Sequence, residues 1–166
     1  LAAELAKKIA GTVAQRSETL VAKVETREEV VERIKKSLKG DKRPVIGVKI
    51  AERHFGGATF DPAAETEWNK LLLECGFEVT DDKSDAKADL EITGEALSEF
   101  GMRKGNLASC KGRVELKVRE RLTGKILAVD RQTSVAVDLS EQIAAKTALQ
   151  KAVLELAERV LPKLAK

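Results

Sequence analysis

The stretch GRVELKVRERLTGKILAVDRQTSVAVD, Gly112 to Asp138, decides how this chain folds. Val114, Leu116 and Val118 alternate with Arg113, Glu115, Lys117 and Arg119. A period of two is that of a strand with one oily face and one wet face. Thr123-Gly124 then supplies a turn, and ILAVDRQTSVAV returns the chain antiparallel. The pattern is a β-hairpin with an apolar back and an ionic front. Such a hairpin needs a second layer behind it.

Two helical stretches can supply that layer. DPAAETEWNKLLLECG, from Asp61, reads as a helix capped by Asp61 with Pro62 at its first position. Its inner face carries Trp68, Leu71, Leu72 and Cys75, and Gly76 with Phe77 closes it as a Schellman end. The last helix starts at Ser140 and carries a core stripe of Leu149, Val153, Leu156, Val160 and Leu164, with Pro162 bending or ending it. Between and before these lie further strands. The β-branched run Val45 to Ile50 after Pro44 reads as a buried central strand. FEVT, from Phe77, lies parallel to it across the helical crossover. From Leu90, inward Leu90, Ile92, Gly94 and Ala96 alternate with Glu91, Thr93 and Glu95. GMRKGNLAS, bracketed by Gly101 and Gly105, reads as a flexible loop.

Residues 42–166 therefore form one domain in the order β-α-β-β-β-β-α. The class is α+β, a mixed four- to five-stranded sheet with two helices packed on one face. Residues 1–41 precede it as a helix-strand-helix segment. Leu1, Leu5 and Ile9 form a first stripe, Leu20 and Val24 anchor a short strand, and Thr26 caps a helix with Glu28 and Glu29 in its first turn. ETLVAKVETREE, from Glu18, is similar in shape to ECGFEVTDDKSD, from Glu74, which suggests a diverged partial repeat.

Composition narrows the class of partner. Hydrophobic residues are 43% and charged residues 34% of the chain, as in a folded domain rather than a disordered one. No apolar run approaches the ~20 residues of a membrane-spanning helix. A start at Leu1 rather than Met reads as a processed product whose signal peptide or lipid anchor is gone. The net charge of +3 is too small to imply nucleic acid, although the region from Arg103 to Arg131 holds nine basic residues against three acidic ones. Cys75 and Cys110 are too few and too far apart for a disulfide framework or a metal site; a bridge between them stays open.

The order strand, loop, helix, G-F-x-V at Gly76–Val79, acidic turn, A-D-x-x-I-x-G at Ala88–Gly94, then V-x-L-x-V-x-x-x-x-T-G-x-I-L-A at Val114–Ala128 resembles the CsgG-like group of bacterial envelope proteins. That group includes the curli secretion lipoprotein and lipoprotein activators of penicillin-binding proteins, and it is similar in fold to the amino-terminal domain of TolB. The matching pieces, with Pro44–Ile50, Glu65–Val79 and the last helix, cover most of residues 42–166. The resemblance implies a secreted, non-catalytic module of the periplasm or outer-membrane periphery that recruits or regulates a protein partner, with a homo-oligomer open. Pore-forming insertions of the secretion channel have no counterpart here.

Chemistry-bearing residues are sparse. His54, the only histidine, lies beside Glu52 and Arg53 just past the first strand, where it could bind an anion or act as a base. No serine, threonine or cysteine shows a recognisable His/Asp pairing, so no catalytic residue, metal ligand or cofactor is expected. Arg53, His54, Phe55 and Phe60 in one loop, and Met102, Arg103 and Lys104 in another, mix apolar and basic side chains as protein-contact surfaces do. The competing reading is a cytoplasmic nucleic-acid binder using the basic hairpin 103–131. It lacks tyrosine and aromatic residues interleaved with the cations.

Overall fold

A computed structural model describes residue 4, residues 25–81 and residues 87–165. The expected first helix and short strand of residues 1–24 lie outside the described residues, Glu4 excepted. The order is α1 (Arg27–Ser37), β1 (Val45–His54), β2 (Gly57–Ala58), α2 (Ala63–Glu74), β3 (Glu78–Thr80), β4 (Leu90–Lys104), β5 (Leu107–Glu120), β6 (Ile126–Asp138) and α3 (Glu141–Val160). A 3-10 turn at Leu161–Lys163 follows, so Pro162 ends the last helix rather than bending it.

The class is α+β and the sheet is mixed, with six strands instead of four or five. Its order is β2-β1-β4-β5-β6, with β3 parallel to the start of β1. β1 and β4 run parallel; β4, β5 and β6 form an antiparallel meander. The additional strand, β2, arises because the loop after β1 folds back on it at Arg53↔Ala58 and His54↔Gly57. β1 buries Ile46, Ile50 and Glu52 while Lys49 and Ala51 face water, so it is half-buried and not sealed on both faces as the apolar run suggested.

The main core lies between the sheet and the helices. Trp68, Leu71 and Leu72 of α2 share it with Leu149, Val153, Leu156 and Val160 of α3, and with Val114, Leu116 and Val118 of β5. α3 presses on β5 at Gly112, where a Cβ would lie 2.7 Å from the carbonyl carbon of Ala148 and the nitrogen of Leu149. α1 adds Val30, Val31 and Ile34 to the same core. Thr26 and Glu29 form a reciprocal capping box at its start. α2 ends as the sequence implied: Gly76 has φ +81°, Phe77 donates to the Leu72 carbonyl at 3.0 Å and Gly76 to that of Leu73 at 3.1 Å.

Three local expectations change. Asp61 does not cap α2, and Pro62 stands at the cap position without a side-chain bond; the helix amides find their acceptor elsewhere. GMRKGNLAS is no flexible loop, because β4 and β5 run through it to a tight turn at Gly105-Asn106, with a register irregularity between Phe100 and Arg103. Cys75 and Cys110 are buried free thiols in two separate clusters, which rules out a bridge.

Candidate functional site

β1, β4 and β6 all end at one end of the sheet, since β1 and β4 are parallel and two antiparallel steps separate β4 from β6. α2 and α3 begin there too. The topology thus gathers both sets of expected contact residues, Arg53, His54, Phe55 and Phe60 together with Met102, Arg103 and Lys104, at the same end.

The arrangement is built on Glu52. The inward alternation of β1 puts this residue in the core, with no exposed side-chain area. A buried carboxylate needs donors. One oxygen accepts from the Ala63 amide at 3.0 Å and from His54 Nε2 at 2.6 Å; the other accepts from the Ala64 amide at 2.7 Å. The strand thereby caps α2, which explains why Asp61 is free of that duty. It also places negative charge at the positive end of the helix dipole. The imidazole donates at Nε2, because a carboxylate only accepts, and in the neutral ring Nδ1 takes the hydroxyl proton of Ser98 at 2.7 Å. Glu65 reaches back in the opposite sense and accepts from the Ile50 amide at 2.8 Å.

A serine, a histidine and a carboxylate in one chain is also the order of a hydrolytic relay. Here Ser98 is only 2% exposed. Its hydroxyl is turned to the His54 ring at 2.7 Å. The relay acts as a brace that ties β1, β4 and α2 together. Sequence reasoning set His54 beside Glu52 and Arg53 in a loop past the strand, whereas β1 runs on through His54, and it missed Ser98, forty-four positions away, because only the β1–β4 register opposes His54 to Ser98.

The brace holds an exposed turn. Phe55 and Gly56 form the two-residue turn between β1 and β2, with φ +51° and +83°. Two left-handed residues in a row belong to a type I′ turn, which favours Asn-Gly. A phenylalanine there is strained by about 1–2 kcal/mol. Its amide is fixed by the Ser98 carbonyl at 3.0 Å, and the residue is 45% exposed. Phe60 beside it is fully exposed. Together with His54, Thr59, Gln142 and Lys146 these rings line a cleft of about 420 Å³. Lys146 bonds Asp61 across the mouth and holds its carboxyl below the usual carboxylate range. At the neighbouring β4–β5 turn, Met102 is exposed, and Arg103 pairs with Glu141 at the start of α3.

The basic residues of the hairpin do not stand alone. β4 presents Glu91, Glu95 and Glu99 on the same outer face, opposite Arg119, Glu115 and Lys111 of β5. Arg119 bonds Glu91, Arg113 bonds Glu115, and Arg121 lies 3.9 Å from Glu91. The count of nine against three overlooked this acidic column because it belongs to a strand earlier in the chain.

No group of three or more His, Cys, Asp or Glu residues poised to hold a metal occurs among the described residues. No helix among them is long and apolar enough to cross a membrane.

No family model and no curated protein matches this chain. Solved structures do. Protein XCC0632 from Xanthomonas campestris, of the family DUF330, is similar with a TM-score of 0.51 and 10% identity, over 75% of this chain and 85% of that one. A PelC dodecamer from Paraburkholderia phytofirmans has a TM-score of 0.48 and 17% identity, over 74% and 87%. A minor lipoprotein from Acinetobacter baumannii has 0.42 and 11%, over 75% and 92%. At 10% identity the likeness to the Xanthomonas protein is one of fold.

Proposed function

We propose that this chain is a non-catalytic protein-binding module of the bacterial envelope, of the CsgG-like kind, which engages its partner through the end of the sheet that carries Phe55 and Phe60. One observation carries the reading. A large aromatic residue occupies a turn position where its backbone is strained and pinned to the Ser98 carbonyl while its side chain stands half-exposed. Stability alone would select glycine or asparagine there. An aromatic residue kept at such a cost and presented rigidly is what a contact anchor requires, because little freedom is lost when it docks. Arg53 on β1 and Met102, Arg103 and Lys104 at the far end of β4 add cations and a flexible thioether to the same end of the sheet.

The burial of Ser98 supports a non-catalytic role, and the acid-base pairing across β4 and β5 supports a protein partner over a nucleic acid. The envelope setting rests on the resemblance of the G-F-x-V, A-D-x-x-I-x-G and hairpin motifs.

The test is affinity capture of envelope proteins on immobilised wild type and on Arg53→Ala, Phe55→Gly and Phe60→Ala. The variants should keep the fold, with Phe55→Gly melting about 2–4 °C higher as strain is relieved, and should lose the captured partner. Equal capture by all variants would refute this surface. RNA binding that falls steeply with salt would instead favour the hairpin reading.

A further inference from the structure

β6 is the outermost strand of the sheet among the described residues, and its two halves are built differently. The direction of its backbone groups can be worked out from the register. A Cβ on Gly94 would meet the Glu115 carbonyl oxygen at 2.2 Å, so that carbonyl turns toward β4. Even-numbered residues of β5 therefore bond β6. By the pairing Glu115↔Arg131 and Leu116↔Asp130, odd-numbered residues of β6 turn their amides and carbonyls to the open edge.

In the first half the chain closes that edge itself. The Arg131 amide donates to Asp130 at 2.8 Å, the Arg131 carbonyl accepts from Arg159 at 3.3 Å, and the Thr133 carbonyl accepts from Gln132 at 3.3 Å. Beyond Thr133 this ends. Val135 and Val137 present edge-facing backbone groups to which no side chain bonds among the described residues, and the two residues are 58% and 57% exposed. From Gln132 to Val137 no residue is charged, in a chain that is 34% charged. Natural edge strands are blunted by charge, proline or a bulge. The lower half of β6 follows that practice and the upper half departs from it.

We propose that the Thr133–Val137 edge pairs with the same edge of a second copy of this chain, antiparallel about a two-fold axis at Val135, with the Gln132 amide yielding the Thr133 carbonyl to the ladder. The segment is self-complementary in this arrangement. Val135 meets its own counterpart, Thr133 meets Val137 on the outer face, and Ser134 meets Ala136 on the inner one. No like charges oppose each other, as an isologous interface requires. The ladder continues the sheet from one copy into the next. It is short, so the dimer is weak, with a dissociation constant on the order of micromolar. This contact is independent of the Phe55 surface.

The experiment is sedimentation equilibrium of the full chain over a concentration range that brackets that value. Wild type should pass from monomer to dimer. Val135→Pro removes only an edge-facing amide and leaves the β5 ladder intact; Val137→Lys installs the missing charge. Each should raise the dissociation constant about tenfold or more with little change in melting temperature, while Phe60→Ala should dimerise like wild type. Should Val135→Pro fail to fold, Val137→Lys decides. A wild type that stays monomeric throughout overturns the proposal, and so does a dimer that withstands both edge substitutions.

Discussion

Gly112→Ala tests the packing on which every other statement stands. The added methyl would stand 2.7 Å from two backbone atoms of α3 and 3.0 Å from the Ala148 Cβ. Carbon atoms rest against each other at about 3.5–4.0 Å. The neighbours are helix backbone and a methyl group, so none can rotate away, and α3 must withdraw by roughly 1 Å. That helix carries Leu149, Val153, Leu156 and Val160 into the core, so the withdrawal loosens contacts along its length. Overpacking of this kind costs up to about 3 kcal/mol. Restricting the unfolded chain by replacing glycine returns about 0.5–1 kcal/mol. The net loss of about 2 kcal/mol corresponds to a melting temperature lower by roughly 4–8 °C for a domain of this size. Circular dichroism melts, with urea titrations to confirm an unchanged slope, measure it against Gly57→Ala. There the new methyl's nearest neighbour is at 3.6 Å, and little change is expected. If Gly112→Ala melts with wild type, α3 does not lie on β5 as described and the layered reading is wrong.

Glu52→Ala should destabilise by more than about 2 kcal/mol, since two helix amides and the His54 ring lose a buried acceptor; thermal melts at neutral pH would reveal a smaller loss. Hydrogen bonding from Arg159 lowers the Asp130 pKa from 3.8, so the pair stabilises the fold above the unfolded carboxyl's titration and loses that effect as pH falls through the folded value. Asp130→Asn should therefore cost no more than about 1 kcal/mol at pH 7, given the exposure of Arg159, and the difference should vanish in acid; a gap that persists at pH 2 would contradict this. Burial pushes the Cys75 and Cys110 thiols above their usual range, so iodoacetamide should label neither in the native protein and both after unfolding, as mass spectrometry would show.

Periodicity made the sheet and its two covering helices readable. Val114, Leu116 and Val118 on one side and the Trp68 and Leu156 stripes on the other could satisfy each other in only one layered way, and local end signals such as Gly76-Phe77 required no tertiary knowledge. The site was legible as far as neighbours in sequence allowed. His54 with Glu52 and Phe55 could be singled out, whereas Ser98 could not, nor could the capping of α2 from a different element. An acid at position 61 before a proline carries the local helix-start signal, and a better acceptor arriving through space overrode it. The charge of the hairpin was misjudged for the same reason: its neutralising partners on β4 become visible only once register is known. Phe55 shows the converse, because a strained φ leaves no trace in composition.

The Glu52 cap has one more consequence. First-turn amides of a helix ordinarily exchange with solvent at the rate of fraying ends. Those of Ala63 and Ala64 are held by an acid rooted in the middle of a sheet, so they can open only when β1 parts from α2. Their deuterium uptake should be as slow as that of the innermost strands, which makes these two positions natural reporters of whether the recognition end and the core melt as one unit.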